Sequence, residues 1–219
     1  MNSYIERFQF VMDRSSRRYG ADTNPALLLD IARPQYDDAV VAAVVDDFKE
    51  GVVDRASALP GNCFAIVREA SYVLFEMGID NAVTIGTVSA NGRPHFSTTQ
   101  SSVDRDMSSG FIPNSPANAH AWLTLDSGQI LDPTILPSWA YHDEGREIEL
   151  EDAIYLSGLR SEVKLEHYPF QTGFAYHLHV VSHPLAVESF QRYSDWLKHS
   201  TIFKAKIARQ RDAQPFAVR

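Results

Sequence analysis

The sequence predicts an α+β protein in which a helix carrying a single thiol packs on an antiparallel sheet. Helical spacing of apolar residues dominates up to Gly78, and β-branched residues take over from Asn81. Two turn signals, Asn91-Gly92 and Asp126-Ser127-Gly128, then fold the following apolar runs into hairpins. With 219 residues, 44% of them hydrophobic, the chain can bury one sizeable core and is read as a single domain over 1–219.

Residues 1–57 are expected to be packing helices. Tyr4, Phe8, Val11 and Met12 recur at helical spacing, and "YDDAVVAAVVDDFKEG" carries Val40, Val41, Val44, Val45 and Phe48 before a stop at Gly51. Residues 58–136 hold the motifs with chemistry. In "ALPGNCFAIVREASYVLF", Val67, Ala70, Leu74 and Met77 form a stripe that Ile66 and Val73 widen, so this helix belongs near the core centre and ends at Gly78. "NAVTIGTVSANGRPHFSTT" reads as two strands around Asn91-Gly92. "QSSVDRDMSSGFIPNSPAN", from Gln100 to Asn118, reads as a long irregular loop of the kind used as a lid or binding loop. "AHAWLTLDSGQILDPTI" is a second hairpin.

Residues 137–190 are assigned the remaining sheet and its connections, with His142-Asp143-Glu144 an exposed turn and "GFAYHLHVVSH" a strand. "PLAVESFQRYSDWLKHSTIFKAKIARQ" reads as helical. Residues 191–219 are assigned a C-terminal helix with a basic tail of Lys204, Lys206, Arg209, Arg211 and Arg219, which suits a solvated face.

A formal charge of -8 argues against a nucleic-acid partner held by phosphate contacts. One cysteine cannot form an internal disulfide, so a cytoplasmic thiol is the expectation. The first residues lack the pattern of a signal peptide, and no stretch approaches the roughly 18 apolar residues of a membrane span. No Gly-rich loop follows a strand and opens a helix, and no cofactor is expected.

Asn62 is a suitable N-cap and Gly61 permits an abrupt entry, placing Cys63 in the first turn, where unpaired amides and the helix dipole favour a thiolate. The Cys63 amide is then free to donate to an oxyanion. A base and a residue to orient it are also needed, and His120 and Asp132 qualify under one condition. With a three-residue loop at 126–128, Leu125 faces Gln129 and Asp132 falls opposite Trp122, on the His120 face; a two-residue loop puts Asp132 on the other face. Taken singly, Cys63 reads as a small buried hydrophobe, Asn62 as a cap, His120 as a strand histidine and Asp132 as a turn residue; together they favour a triad. Trp122 and Trp139 are substrate-cleft candidates, although large aromatics more often pack cores. The competing constellation is "YHLHVVSH", where His177 and His179 alternate onto one strand face and His183 adds a third nitrogen suited to zinc; no carboxylate falls at a matching spacing.

A cysteine at the start of a core helix, "HAW" on a strand and an aspartate before proline in "LDPT" resemble the transglutaminase-like branch of the papain-like cysteine protease superfamily. The resemblance covers residues 58–136, and its most specific stretch is "NAHAWLTLDSGQILDPTI". It implies a papain-like, transglutaminase-like core, with Cys63 as nucleophile, His120 as general base and acid, and Asp132 as the orienting carboxylate. The gap between histidine and aspartate is shorter than that family's, which implies a shortened hairpin. By chemistry alone, Asn62 and Gln100 are the candidates to complete the oxyanion hole. The expected activity is cysteine-dependent acyl transfer on a peptide, protein or small amide: hydrolysis by a protease, amidase or deamidase if water is the acceptor, transglutamination if an amine is. A silent member of the same fold, binding a peptide or partner under the Ser-rich loop, is the alternative.

Overall fold

A computed structural model describes residues 3–20, 27–51, 53, 55–111, 117–159 and 161–181. Helix α1 (Tyr4–Tyr19) starts at a capping box, in which Ser3 Oγ accepts from the Glu6 amide and the Glu6 carboxylate accepts from the Ser3 amide. Helix α2 (Asp38–Gly51) turns Val40, Val44, Val45 and Phe48 inward. Helix α3 (Cys63–Glu76) buries Ile66, Val67, Ala70, Val73 and Leu74, and Gly78 at φ 73° lets the Ile79 amide turn back onto the Leu74 carbonyl.

The sheet is antiparallel throughout, with strands β1 (Asn81–Ala90), β2 (Arg93–Pro94), β3 (His120–Leu125), β4 (Ile130–Asp132), β5 (Tyr155–Leu156) and β6 (Leu165–Thr172). β1 lies centrally. On one edge β3 pairs with Asn81–Gly86 and β2 with Ser89–Ala90; on the other, β6 runs along Thr84–Ala90. β4 and β5 follow outward from β3.

Both faces are covered. Ala121, Leu123 and Leu125 join the core that α2 and α3 build with Val83 and Ile85. Trp122 packs on the opposite face with Val88, Ile130 and Ile135. There Trp122 Nε1 donates to the Tyr4 hydroxyl at 2.8 Å, and that hydroxyl lies 2.6 Å from Thr124 Oγ1, so α1 is tied to the sheet through a buried polar chain. Burial raises the Tyr4 phenol to about 12, against the lowering effect of its hydrogen bonds to Thr124 and Trp122.

Gly86 is the point of closest approach. The register shifts between Ile85 and Gly86, and a Cβ there would strike the Tyr168 carbonyl and come within 2.8 Å of the Trp122 ring.

Three expectations change. The Ser-rich stretch is not irregular: Thr99 caps helix α4 (Gln100–Ser109), with Ser102 returning the bond to Thr99, Val103 buried and Gly110 as the stop. Asn91 and Gly92 turn at φ 51° and 77° as expected, but Pro94 limits the second strand to two residues. The described part of "GFAYHLHVVSH", residues 173–181, is not a strand; β6 lies earlier, Gly173 breaks it, and His177–Val181 wind into a π-helical turn. His142–Glu144 are exposed as expected, in another π-helical turn, Ala140–Glu144, which follows helix α5 (Ile135–Trp139). The helix and basic tail expected beyond Val181 lie outside the described residues. No described helix is long and apolar enough to cross a membrane.

Candidate active site

Cys63 opens α3, with Gly61 at φ 76° making the sharp entry. Asn62 stands at the cap position without capping by its side chain: its backbone is off the extended conformation, and Nδ2 donates to the Ala58 carbonyl at 2.9 Å. The first intrahelical bond runs from the Ile66 amide to the Asn62 carbonyl, so the Cys63, Phe64 and Ala65 amides have no acceptor one turn back. Cys63 is only 8% exposed, with Sγ 4.0 Å from the Ala119 carbonyl oxygen.

Strand register brings the other two residues together. Leu123 faces Leu131 and Thr124 faces Ile130; one pair further on, the Leu125 amide donates to the Gln129 carbonyl, leaving residues 126–128 as the loop, with Gly128 at φ 82°. The Asp126 carboxylate is held by the Tyr36 hydroxyl at 2.8 Å and by Arg33, which fixes that loop. Extending the same register puts Asp132 opposite Trp122. His120 Nε2 lies 2.7 Å from Asp132 Oδ2, and both side chains are fully buried.

His120 Nδ1 is buried and makes no hydrogen bond of ordinary geometry, while the Cys63 sulfur is near enough to act on the ring by hydrogen bonding and charge. Phe96 stacks on the imidazole at 4.6 Å with 10° between the planes. Burial alone would lower the His120 pKa, but the charge and hydrogen bond of Asp132, then the hydrogen bond and charge of Cys63, push it up to about 10. Burial would likewise raise Asp132; the His120 charge and the hydrogen bonds from His120 and His167 hold it well below the usual carboxylate range. The two shifts describe one imidazolium–carboxylate pair.

His167, on β6, also reaches Asp132 Oδ2, at 3.0 Å from Nε2, and nothing in the sequence reading singled it out. In "LEHYPFQT" His167 is buried between half-buried Glu166 and Tyr168, but the register shift at Ile85/Gly86 turns Gln171 to the opposite sheet face, so no single-face alternation marks the histidine. His95 was missed too. Its Nδ1 lies 3.1 Å from Asp143 Oδ2, and its ring meets Phe96 edge-on, one layer from His120.

The remaining candidates are placed elsewhere. Gln100 faces α1, its Oε1 accepting from Arg14 at 2.5 Å, and the Asn62 amide is occupied by Ala58, so the α3 amides are the oxyanion donors at hand. Trp122 is wholly buried as packing behind His120, 6.1 Å away between ring centroids. Trp139 lines a separate cavity of about 680 Å³ with Leu136, Tyr155 and Glu149, and no triad residue borders it. His177 and His179 share a π-helical turn instead of a strand face, and His183 lies outside the described residues. Burial, then the Arg68 charge, lower His177 to about 4. Among the described residues, no group of three or more His, Cys, Asp or Glu side chains could hold a metal ion.

Chemically, the geometry offers a sulfur at a helix N-terminus, an imidazolium beside it and a buried carboxylate behind. No family model, curated protein or solved structure matches the chain.

Proposed function

We propose that the protein is a cysteine-dependent acyl-transfer enzyme that cleaves an amide or peptide bond through Cys63, His120 and Asp132. The observation carrying this reading is that one buried imidazole meets Asp132 Oδ2 through Nε2, leaves Nδ1 unbonded, and lies within electrostatic reach of a sulfur at the start of α3. A papain-like, transglutaminase-like core is consistent with a thiol helix packed on an antiparallel sheet and with the chain order Cys63, His120, Asp132.

In this mechanism the thiolate of Cys63 attacks the substrate carbonyl carbon, forming a C–S bond while the carbonyl π pair moves to oxygen. Amides at the head of α3 stabilise that oxyanion. The Nδ1 proton of His120 passes to the departing nitrogen as the C–N bond breaks, leaving a thioester and a neutral imidazole. Water, deprotonated by Nδ1, then releases the acid; an amine in the same position gives transfer instead. A free nucleophilic thiol suits a reducing compartment such as the cytoplasm.

The near-closure of the sulfur favours a second reading, a silent member of the fold that holds a peptide or partner. One experiment separates them. Purified protein is treated with iodoacetamide at neutral pH and its mass followed; the acyl-transfer reading expects alkylation of Cys63 on the order of tenfold faster than glutathione, with the excess lost in His120→Ala. Incubation with p-nitrophenyl acetate should also give an acetylated mass that Cys63→Ala abolishes. Alkylation no faster than glutathione together with no acyl adduct sinks the enzyme reading.

A further inference from the structure

Asp132 is held from more sides than a conventional triad requires. Oδ1 accepts from the Thr134 and Ile135 amides at 3.1 Å each and faces Thr134 Oγ1 at 3.5 Å. Oδ2 carries two imidazoles at once, His120 at 2.7 Å and His167 at 3.0 Å. We infer that His167 is a positioning residue of the site: neutral, with its proton on Nε2, it donates the second hydrogen bond to Asp132 Oδ2 and holds that carboxylate in place for His120. This rests on the acyl-transfer reading for its purpose, but not for its chemistry.

The protonation state follows from the surroundings. The His167 side chain is 1% exposed, and Nδ1 is buried without any hydrogen-bond partner. A proton on Nδ1 would be a buried donor with no acceptor, and it would turn the bare Nε2 lone pair against a carboxylate oxygen. A cation would keep the same unpaired donor and set a second positive ring beside His120. Only the neutral Nε2–H form gives every buried proton an acceptor, at the lesser cost of one unmet lone pair. Burial lowers His167 most, the Asp132 hydrogen bond and charge oppose this, and the His120 charge adds to the lowering.

The ring is also fixed in its plane. Tyr155 of β5 stacks on it at 5.7 Å and 19°, and Trp122 of β3 meets it edge-on at 4.9 Å. Three strands thus converge on one carboxylate, β3 through His120, β5 through Tyr155 and β6 through His167, while α5 contributes amides. The charged and titratable groups in this layer are Asp132, His120, His167 and Tyr155; Cys63 acts on His120 from outside, and the His120 charge is felt by His95. If the Asp132 carboxylate could rotate, the Nε2 anchor of His120 would move with it, and the aim of the imidazole would be lost.

The full-length protein, labelled with ¹⁵N and ¹³C, tests this. Two-bond ¹H–¹⁵N spectra of the wild type near neutral pH should show His167 neutral and protonated on Nε2, beside a doubly protonated His120. A cationic His167, or one protonated on Nδ1, overturns the inference even if no variant folds. The Asp132 ¹³Cγ resonance is then titrated in wild type, His167→Gln and His167→Phe. Loss of the donor in His167→Phe should move Asp132 protonation to higher pH by on the order of one unit, and the glutamine amide should restore it, because removing a hydrogen bond to a carboxylate favours its acid form. An unchanged titration in His167→Phe overturns the inference, since packing alone would leave Asp132 as it was. Cys63 alkylation measured on the same samples separates the two readings: if Asp132 shifts as stated while wild-type Cys63 reacts like glutathione, the acyl-transfer reading falls and the role of His167 stands.

Discussion

Asp132 shows how much a single buried charge demands. It is shielded from water and faces hydrogen-bond donors from His120, His167, Thr134 and Ile135. Replacing it by alanine would leave the His120 cation without its counter-charge, and chemical denaturation of Asp132→Ala is expected to show a loss of about 3–5 kcal/mol; a loss below about 1 kcal/mol would contradict the buried pair. His120→Ala should lower acyl turnover by about 10²–10⁴-fold, the span of general acid–base catalysis, measured as hydrolysis of p-nitrophenyl acetate. Cys63, His120 and Asp132 were legible because each stands beside a local signal: a Gly-Asn helix entry, the first residue of an apolar run, a proline after a strand. His167 carries no such mark. Its role depends on β6 pairing with β1 so that His167 sits opposite Val88, a long-range register that no local pattern encodes.

Among the elements, α4 escaped the sequence reading because its stripe is thin. Only Val103 is fully buried, and the start is a Thr99–Ser102 exchange in a Ser-rich stretch that also reads as loop. Thr99→Ala should cost about 1 kcal/mol in urea denaturation, the usual worth of an N-cap, whereas Ser101→Ala should cost less than half as much. β1 presents the opposite case, for its β-branched run was plain but the need for Gly86 was not. A methyl group there would force apart β6 and Trp122, so Gly86→Ala should destabilise by about 1–3 kcal/mol or more and loosen the Trp122 environment, seen as a shift in tryptophan fluorescence. A neutral Gly86→Ala would mean that the strands separate more easily than this packing allows. The misplaced strand at 173–183 has a similar origin: "GFAYHLHVV" alternates well enough to pass for a strand, yet Phe174, Ala175 and Tyr176 are all buried as the chain leaves β6.

For the whole molecule, four of the described histidines fall into two groups that act oppositely with pH. His120 is held above its ordinary 6.5, at about 10, so its contribution to stability is complete below 6.5 and is lost as pH rises toward 10. His167, His95 and His177 are held below 6.5 by burial, so below that pH the unfolded chain takes up protons that the fold refuses, and stability falls. Asp132, depressed in the fold, adds to the acid loss once pH drops below its unfolded value of 3.8. Thermal midpoints should therefore peak near 6.5, and His120→Gln should flatten the alkaline side and, because the His120 charge also depresses Asp132, lessen part of the acid loss; a wild-type curve level from 6.5 toward 10 would refute the buried imidazolium. The α+β class and the hairpin carrying two of the site residues were readable because they rest on local turns; how the sheet closes through β6 was not. The stretch from Asp132 to Asp143 touches His120 at both of its ends, directly through Asp132 and by way of His95 and Phe96 from Asp143. An insertion between Pro133 and His142 would displace one hold on the ring relative to the other, so the length of that connection is part of what aims the histidine.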